Sequence, residues 1–130
     1  MKIELTFLNP NSLNNHWCKS RSGVFLSAKG RVFRNHVIQV VTENGYYNLK
    51  LKGRIKYTAI YYPPDNRARD LDNFCTKAVF DALTHSGIYE DDKQVDYVQY
   101  QRGEIQKDKI AKIKITIEEI IWQIKNICYC

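Results

Sequence analysis

The chain has 130 residues, 20 Lys and Arg against 14 Asp and Glu, and a formal net charge of +6. That length suits one compact domain with a core of its own, and a hydrophobic content of 44% excludes wholesale disorder. No apolar run reaches the roughly 18 residues that a membrane-spanning helix needs. The N-terminus lacks the apolar segment and cleavage site of a secretory signal, so a cytoplasmic location is expected.

Residues 2–8 alternate, with Ile3, Leu5 and Phe7 on one side and Lys2, Glu4 and Thr6 on the other, which predicts a strand. Asn9-Pro10-Asn11-Ser12 breaks it. Residues 14–25 are polar and basic and read as a loop or hairpin. Ser27 is a natural N-cap for a helix running to Glu43, with Phe33, Val37, Val40 and Val41 at core spacing and Asn44-Gly45 as its stop. Residues 49–62 alternate again and predict a strand with one basic face, Lys50, Lys52, Arg54 and Lys56.

Pro63-Pro64-Asp65-Asn66 ends that strand. A helix is expected over 73–86, with Phe74, Cys75, Ala78, Val79, Ala82 and Leu83 as its apolar stripe and Gly87 at its end. A short connector, 88–92, leads to a strand over 94–102, and a last strand is expected over 110–117. The tail, 118–130, reads as an apolar helix, with Glu118 and Glu119 suited to its N-terminus. This order predicts a single α+β domain with a mixed β-sheet packed against helices.

Charge is unevenly placed. Residues 1–69 carry twelve Lys and Arg and three acids, whereas residues 70–130 carry eight and eleven. Seven of those acids fall between Asp70 and Asp96. A basic body attracts a polyanion such as nucleic acid, and an acidic knot within it repels that partner unless a cation neutralises the knot. The alternative is an ordinary solvated acidic face. The cysteines, Cys18, Cys75, Cys128 and Cys130, form no C-x-x-C pair and read as free thiols rather than zinc ligands. His16, His36 and His85 share no spacing that suggests a joint role.

The candidate chemistry lies in Asp70-Leu71-Asp72-Asn73. Two carboxylates at i and i+2 of extended chain point the same way, and they repel unless they share a cation or a proton. Lys77 and Asp81 share a helix face one turn on, and Asp91-Asp92 follows where the chain turns back. Three carboxylates and a lysine suit metal-assisted phosphodiester hydrolysis, the acids holding one or two Mg²⁺ ions and the lysine offsetting transition-state charge. An N-cap with a solvated acid, and a surface Lys77–Asp81 pair, explain the same residues without catalysis. Trp17, inside the basic loop with Lys19 and Arg21, is the aromatic best placed to stack on a base.

Arg69-Asp70-Leu71-Asp72-Asn73, then Lys77 to Thr84, then Gly87 and Asp91-Asp92-Lys93-Gln94-Val95, closely resembles the RusA family of Holliday junction resolvases. Asn14-Asn15, the basic loop, and Leu26 to Gly30 with Phe33-Arg34 extend the likeness to roughly residues 3–117, leaving 118–130 as an extension of the same domain. The resemblance implies a homodimeric, Mg²⁺-dependent endonuclease, with Mn²⁺ as a substitute, that nicks four-way DNA junctions in recombination and repair and is often phage- or prophage-encoded. It implies Asp70, Asp72 and Asp92 as catalytic metal ligands, with Asp91 easily confused with Asp92, and Lys77 as the essential lysine. Arg69, Arg67, Lys19, Arg21, Trp17, Asn14 and Asn15 become candidate DNA contacts.

Between Asn73 and Lys77 the chain has three residues where the family pattern has two. Since one residue turns a helix by about 100°, either the helix starts later or Lys77 arrives from another direction; the intact spacing from Lys77 to Leu83 favours the later start. The alternatives are a non-catalytic basic nucleic-acid-binding protein and a nuclease acting on other branched DNA.

Overall fold

The computed structural model describes residues 2–10, 17–67 and 76–120. Strand β1 (Lys2–Leu8) buries Ile3, Leu5 and Phe7 and exposes the residues between them. Strands β2 (Trp17–Ser20) and β3 (Gly23–Leu26) form an antiparallel hairpin, its turn closing on Gly23 at φ 123°. Helix α1 (Ala28–Glu43) starts where expected: the Ser27 hydroxyl accepts the Gly30 N–H at 2.9 Å. It stops where the Asn44 side-chain amide donates to the Val40 carbonyl at 2.8 Å and Gly45 takes φ 81°.

Strand β4 (Arg54–Tyr62), helix α2 (Thr76–Ser86), a 3₁₀ turn at Asp92–Gln94, strand β5 (Val95–Arg102) and strand β6 (Lys112–Ile120) follow. The main sheet has the order β1-β6-β4-β5. β6 is antiparallel to both β1 and β4, whereas β5 is parallel to β4. A parallel pair needs a crossover, and α2 supplies it. The predicted α+β domain with a mixed sheet is the fold found, with the β2–β3 hairpin as a separate small sheet.

Ile55, Tyr57 and Ala59 of β4 join Ile113, Ile115 and Ile117 of β6 and the apolar side of β1 on one sheet face. Phe33, Val37 and Val41 of α1 and Ala78, Val79, Ala82 and Leu83 of α2 cover that face. Each large aliphatic side chain so buried contributes about 1.5–3 kcal/mol. Phe7 meets Phe33 edge-on with ring centroids 6.4 Å apart, which locks α1 over β1.

His36 also secures α1. Its Nε2 accepts the Leu8 N–H at 2.9 Å, so the ring must be neutral at that nitrogen. Burial holds its pKa below the ordinary value, against a smaller upward pull from Glu43. The unfolded chain therefore takes up the proton more readily, and this contact stabilises the fold fully above pH 6.5 and is lost as pH falls through the depressed folded pKa. The melting temperature is expected to drop as pH is lowered from about 7.5 to 5.5, and the drop to shrink in His36→Gln, whose amide oxygen accepts the same N–H without titrating. Parallel thermal melts of the two proteins check this.

Three expectations are corrected. The strand predicted over 49–62 begins at Arg54, because Asn48 and Lys50 take φ 58° and 57°, which no strand allows. The basic row is thereby broken: only Arg54 and Lys56 lie on β4. Arg54 pairs with Asp96, and Lys56 lies over the Tyr97 ring at 4.9 Å. The last strand runs to Ile120, so Glu118 and Glu119 belong to a strand and not to a helix's first turn. Glu118 stands between Lys2 of β1 and Lys56 of β4, and such opposite-charge cross-strand pairs favour continued pairing. Residues 121–130, where the rest of the tail helix was expected, lie outside the described residues.

Candidate active site

The Asp91-Asp92 pair divides its labour by local geometry. Asp91 has extended backbone, φ −153° and ψ 142°, and caps the 3₁₀ turn. Its Oδ1 accepts the Lys93 N–H at 2.9 Å, and that bond is the leading cause holding its carboxyl below the usual range. Gln94 completes the capping box by accepting the Glu90 and Asp91 N–H groups at 2.8 and 2.9 Å. Asp92, the first residue of the turn, aims its carboxylate at α2.

There it meets Lys77. The lysine Nζ lies 3.0 Å from Asp92 Oδ2, fifteen residues on in sequence, and 3.3 Å from Asp81 Oδ1 on its own helix face. The hydrogen bond to Asp92 and the charge of Asp81 raise the Lys77 pKa. Lys77 is thus a fixed cation at neutral pH, suited to offset negative charge and unsuited to act as a base. Its side chain is 61% exposed and those of Asp81 and Asp92 are 33% and 29%, so the cluster lies open at the surface where a polyanion can reach it. Tyr89 is buried and donates its hydroxyl hydrogen to the Phe80 carbonyl at 3.2 Å, pinning the connector to α2.

Of the predicted site residues, Lys77 and Asp92 come together, and Asp81 pairs with the same lysine. The surface Lys77–Asp81 pair and the Lys77–Asp92 contact are present at once. Asp70, Asp72 and Arg69 lie outside the described residues, as do Asn14 and Asn15. Trp17 opens β2, Lys19 is exposed on the same strand and Arg21 is exposed in the hairpin turn. Arg67 is exposed and its side chain reaches Asp65 Oδ2 at 3.3 Å. Among the described residues no three His, Cys, Asp or Glu side chains group to hold a metal ion. Sequence reasoning assigned no role to Gln94 and read Arg54 only as part of a basic strand face; the D-x-x-Q spacing of a capping box, Asp91 to Gln94, was the available signal for the first.

An exposed ammonium held between two carboxylates, in a chain whose first half is strongly basic, suits an enzyme acting on nucleic acid, and comparison with known proteins identifies the class as nuclease. The endodeoxyribonuclease RusA family model matches residues 8–118. The chain belongs to that family. It is 39% identical over 98 residues to the crossover junction endodeoxyribonuclease of Enterobacteria phage HK97, covering 72% of this chain and 77% of the phage protein. Crossover junction endodeoxyribonucleases of Escherichia coli and of Enterobacteria phage 82 are 34% and 33% identical over 111 residues. The E. coli match spans 85% of this chain and 89% of that protein. No helix among the described residues is long and apolar enough to cross a membrane.

Proposed function

We propose that the protein is a metal-dependent endonuclease that resolves four-way DNA junctions by paired nicks. The observation that carries this reading is the meeting of Lys77 with Asp92 at 3.0 Å while Asp91 is consumed as a cap. The donor chemistry fits a hard divalent ion: Asp92 Oδ2 already accepts one cation, the Lys77 ammonium, and a carboxylate oxygen is what Mg²⁺ prefers. Asp70, Asp72 and Asp92 would hold Mg²⁺, or Mn²⁺ in its place, and the ion would polarise the phosphate and lower the pKa of a bound water.

The chain's own groups do the rest. Lys77, kept protonated by its two acidic neighbours, faces the phosphate and offsets charge gathering on its oxygens. Asp81 retains the lysine at the rim whenever Asp92 is otherwise engaged. Arg67 and Arg69, leading into the first two acids, and Lys19 and Arg21 on the hairpin grip phosphates, with Trp17, Asn14 and Asn15 as further DNA contacts. Such contacts position the duplex arms, and shape supplies the selectivity. A four-way junction has two-fold character, so two copies of the chain would set equal sites at the two exchanging strands. The names of the relatives, two of them from phages, support a role in recombination and a phage or prophage origin, and repair is proposed beside them. Work on DNA agrees with a cytoplasmic location, and residues 118–130 are read as an extension of the same domain.

The test is nicking of a synthetic four-way junction with and without Mg²⁺, beside Asp72→Asn. Symmetric nicks that need the metal and vanish in the variant are expected. Cleavage that persists in Asp72→Asn sinks the assigned mechanism, and junction binding with no metal-dependent nicking favours a non-catalytic binder. Equal cleavage of flaps and three-way forks widens the substrate to branched DNA in general.

A further inference from the structure

We propose that Gln94 and Arg54 are positioning residues that together hold Asp92 in its working place. The inference rests on the reading of Asp92 as a metal ligand. Asp92 sits in a turn of three residues, and a piece of 3₁₀ helix that short has too few internal bonds to fix a side chain by itself. The stiffness comes from outside.

The Gln94 side chain is buried and makes four hydrogen bonds. Its Nε2 donates to the carbonyls of Leu51 and Gly53 at 2.8 and 2.9 Å. Its Oε1 accepts the N–H groups of Glu90 and Asp91 at 2.8 and 2.9 Å. Two donors and two lone pairs are all an amide has, so nothing is left over. One side chain thus ties the backbone just before Asp92 to the segment leading into β4.

Arg54, the first residue of β4, ties the backbone just after it. Its Nη2 donates to the Lys93 carbonyl at 2.7 Å, and its Nε donates to Asp96 Oδ2 at 2.8 Å, with a second contact from Nη2 to Asp96 Oδ1. Asp96 is available because β5 carries one extra residue there: Ile55 pairs with Val95, but Lys56 pairs with Tyr97. The bulge turns Asp96 toward the guanidinium, and the fork geometry fixes both. Residues 90, 91, 93 and 96 are therefore anchored to 51–54, with Asp92 between the anchors. A ligand that must meet acids twenty residues upstream in the chain needs such anchoring, because groups behind a metal ligand set its orientation.

The experiment compares Arg54→Met and Gln94→Glu with the unaltered protein. The Arg54 side chain is 46% exposed, so its replacement leaves the core intact. Gln94→Glu keeps the volume and the oxygen that accepts both N–H groups, and it replaces the two donations to Leu51 and Gly53 with an oxygen facing their carbonyls. Read out are the Mg²⁺ concentration for half-maximal nicking, the single-turnover rate at saturating Mg²⁺, junction affinity in EDTA and the thermal midpoint.

The expected result is a rise in the half-maximal Mg²⁺ concentration of about tenfold or more in each variant, with junction affinity in EDTA within twofold of the unaltered protein. Unchanged Mg²⁺ dependence in the folded Arg54→Met protein overturns the proposal, as does a loss of activity that merely tracks the fraction unfolded. Asp92→Asn runs alongside. If it still nicks with Mg²⁺, the reading of the site itself has failed; if it is inert while Arg54→Met behaves as unaltered protein, only the anchoring has.

Discussion

Asp92→Asn is expected to lower single-turnover nicking of a four-way junction by on the order of 10³-fold or more, whereas Asp91→Asn keeps activity within about threefold. The two acids are adjacent, equally charged and indistinguishable by type. They differ in what their oxygens touch. Asp91 uses Oδ1 on the Lys93 N–H at 2.9 Å, and asparagine caps a helical turn about as well as aspartate does, so the amide replaces it at little cost. Asp92 offers its carboxylate to the Lys77 ammonium, and an amide there supplies neither the charge nor a hard ligand. The reverse pattern, an inert Asp91→Asn beside an active Asp92→Asn, would exchange the two roles and undo the site as drawn.

Gly87→Ala is expected to cost about 3 kcal/mol of stability and to lower the melting temperature by roughly 10 °C. Gly87 follows α2 at φ 73°, a left-handed conformation that an L side chain resists. A Cβ there would also lie 2.9 Å from Asn48 Cα and 3.3 Å from Asn48 N. Neither is the flexible tip of a side chain. The two segments are laced together, with Asn48 N–H on the Ser86 carbonyl at 2.8 Å and Lys50 N–H on the Gly87 carbonyl at 2.7 Å, so the backbone has no room to retreat. Gly45→Ala is the control: its φ is 81°, but nothing stands within 4 Å of the added carbon. Only the conformational penalty of about 1 kcal/mol applies there. Calorimetry or urea unfolding of the two variants separates the terms, and equal losses would mean that the contact with Asn48 contributes nothing.

What the sequence disclosed, it disclosed through local rules. Ser27 and Asn44-Gly45 mark α1 to the residue, because a cap and a left-handed glycine act within one turn of chain. Alternation marks β1 and the core side of β4 and β6, because the pleat has a period of two. The misread parts depend on partners distant in sequence. Leu51 and Gly53 look like strand residues, yet their carbonyls answer to an amide more than forty positions later. Glu118 looks like a helix opener until Lys2 and Lys56 stand beside it. The Lys77–Asp92 meeting was suggested by the chain's return after the helix and made specific by family likeness; fifteen residues of helix and connector separate them, and no periodicity spans that gap. The choice between Asp91 and Asp92 was readable in part, since the glutamine three places after Asp91 marks it as the cap.

Among the described residues, the strand synthesised last occupies the interior of the sheet. Every backbone bond that β1 makes to the main sheet goes to β6, and β6 is also what links β1 to the β4–β5 pair. As the chain leaves the ribosome, β1 and β4 must therefore wait with open edges until residues 112–120 have emerged. Lys77, Asp92 and their anchors are all translated before then, yet the platform beneath them is still incomplete. Until that strand has emerged, the sheet that carries β4 and β5, and with them the anchors of Asp92, lacks its central antiparallel partner.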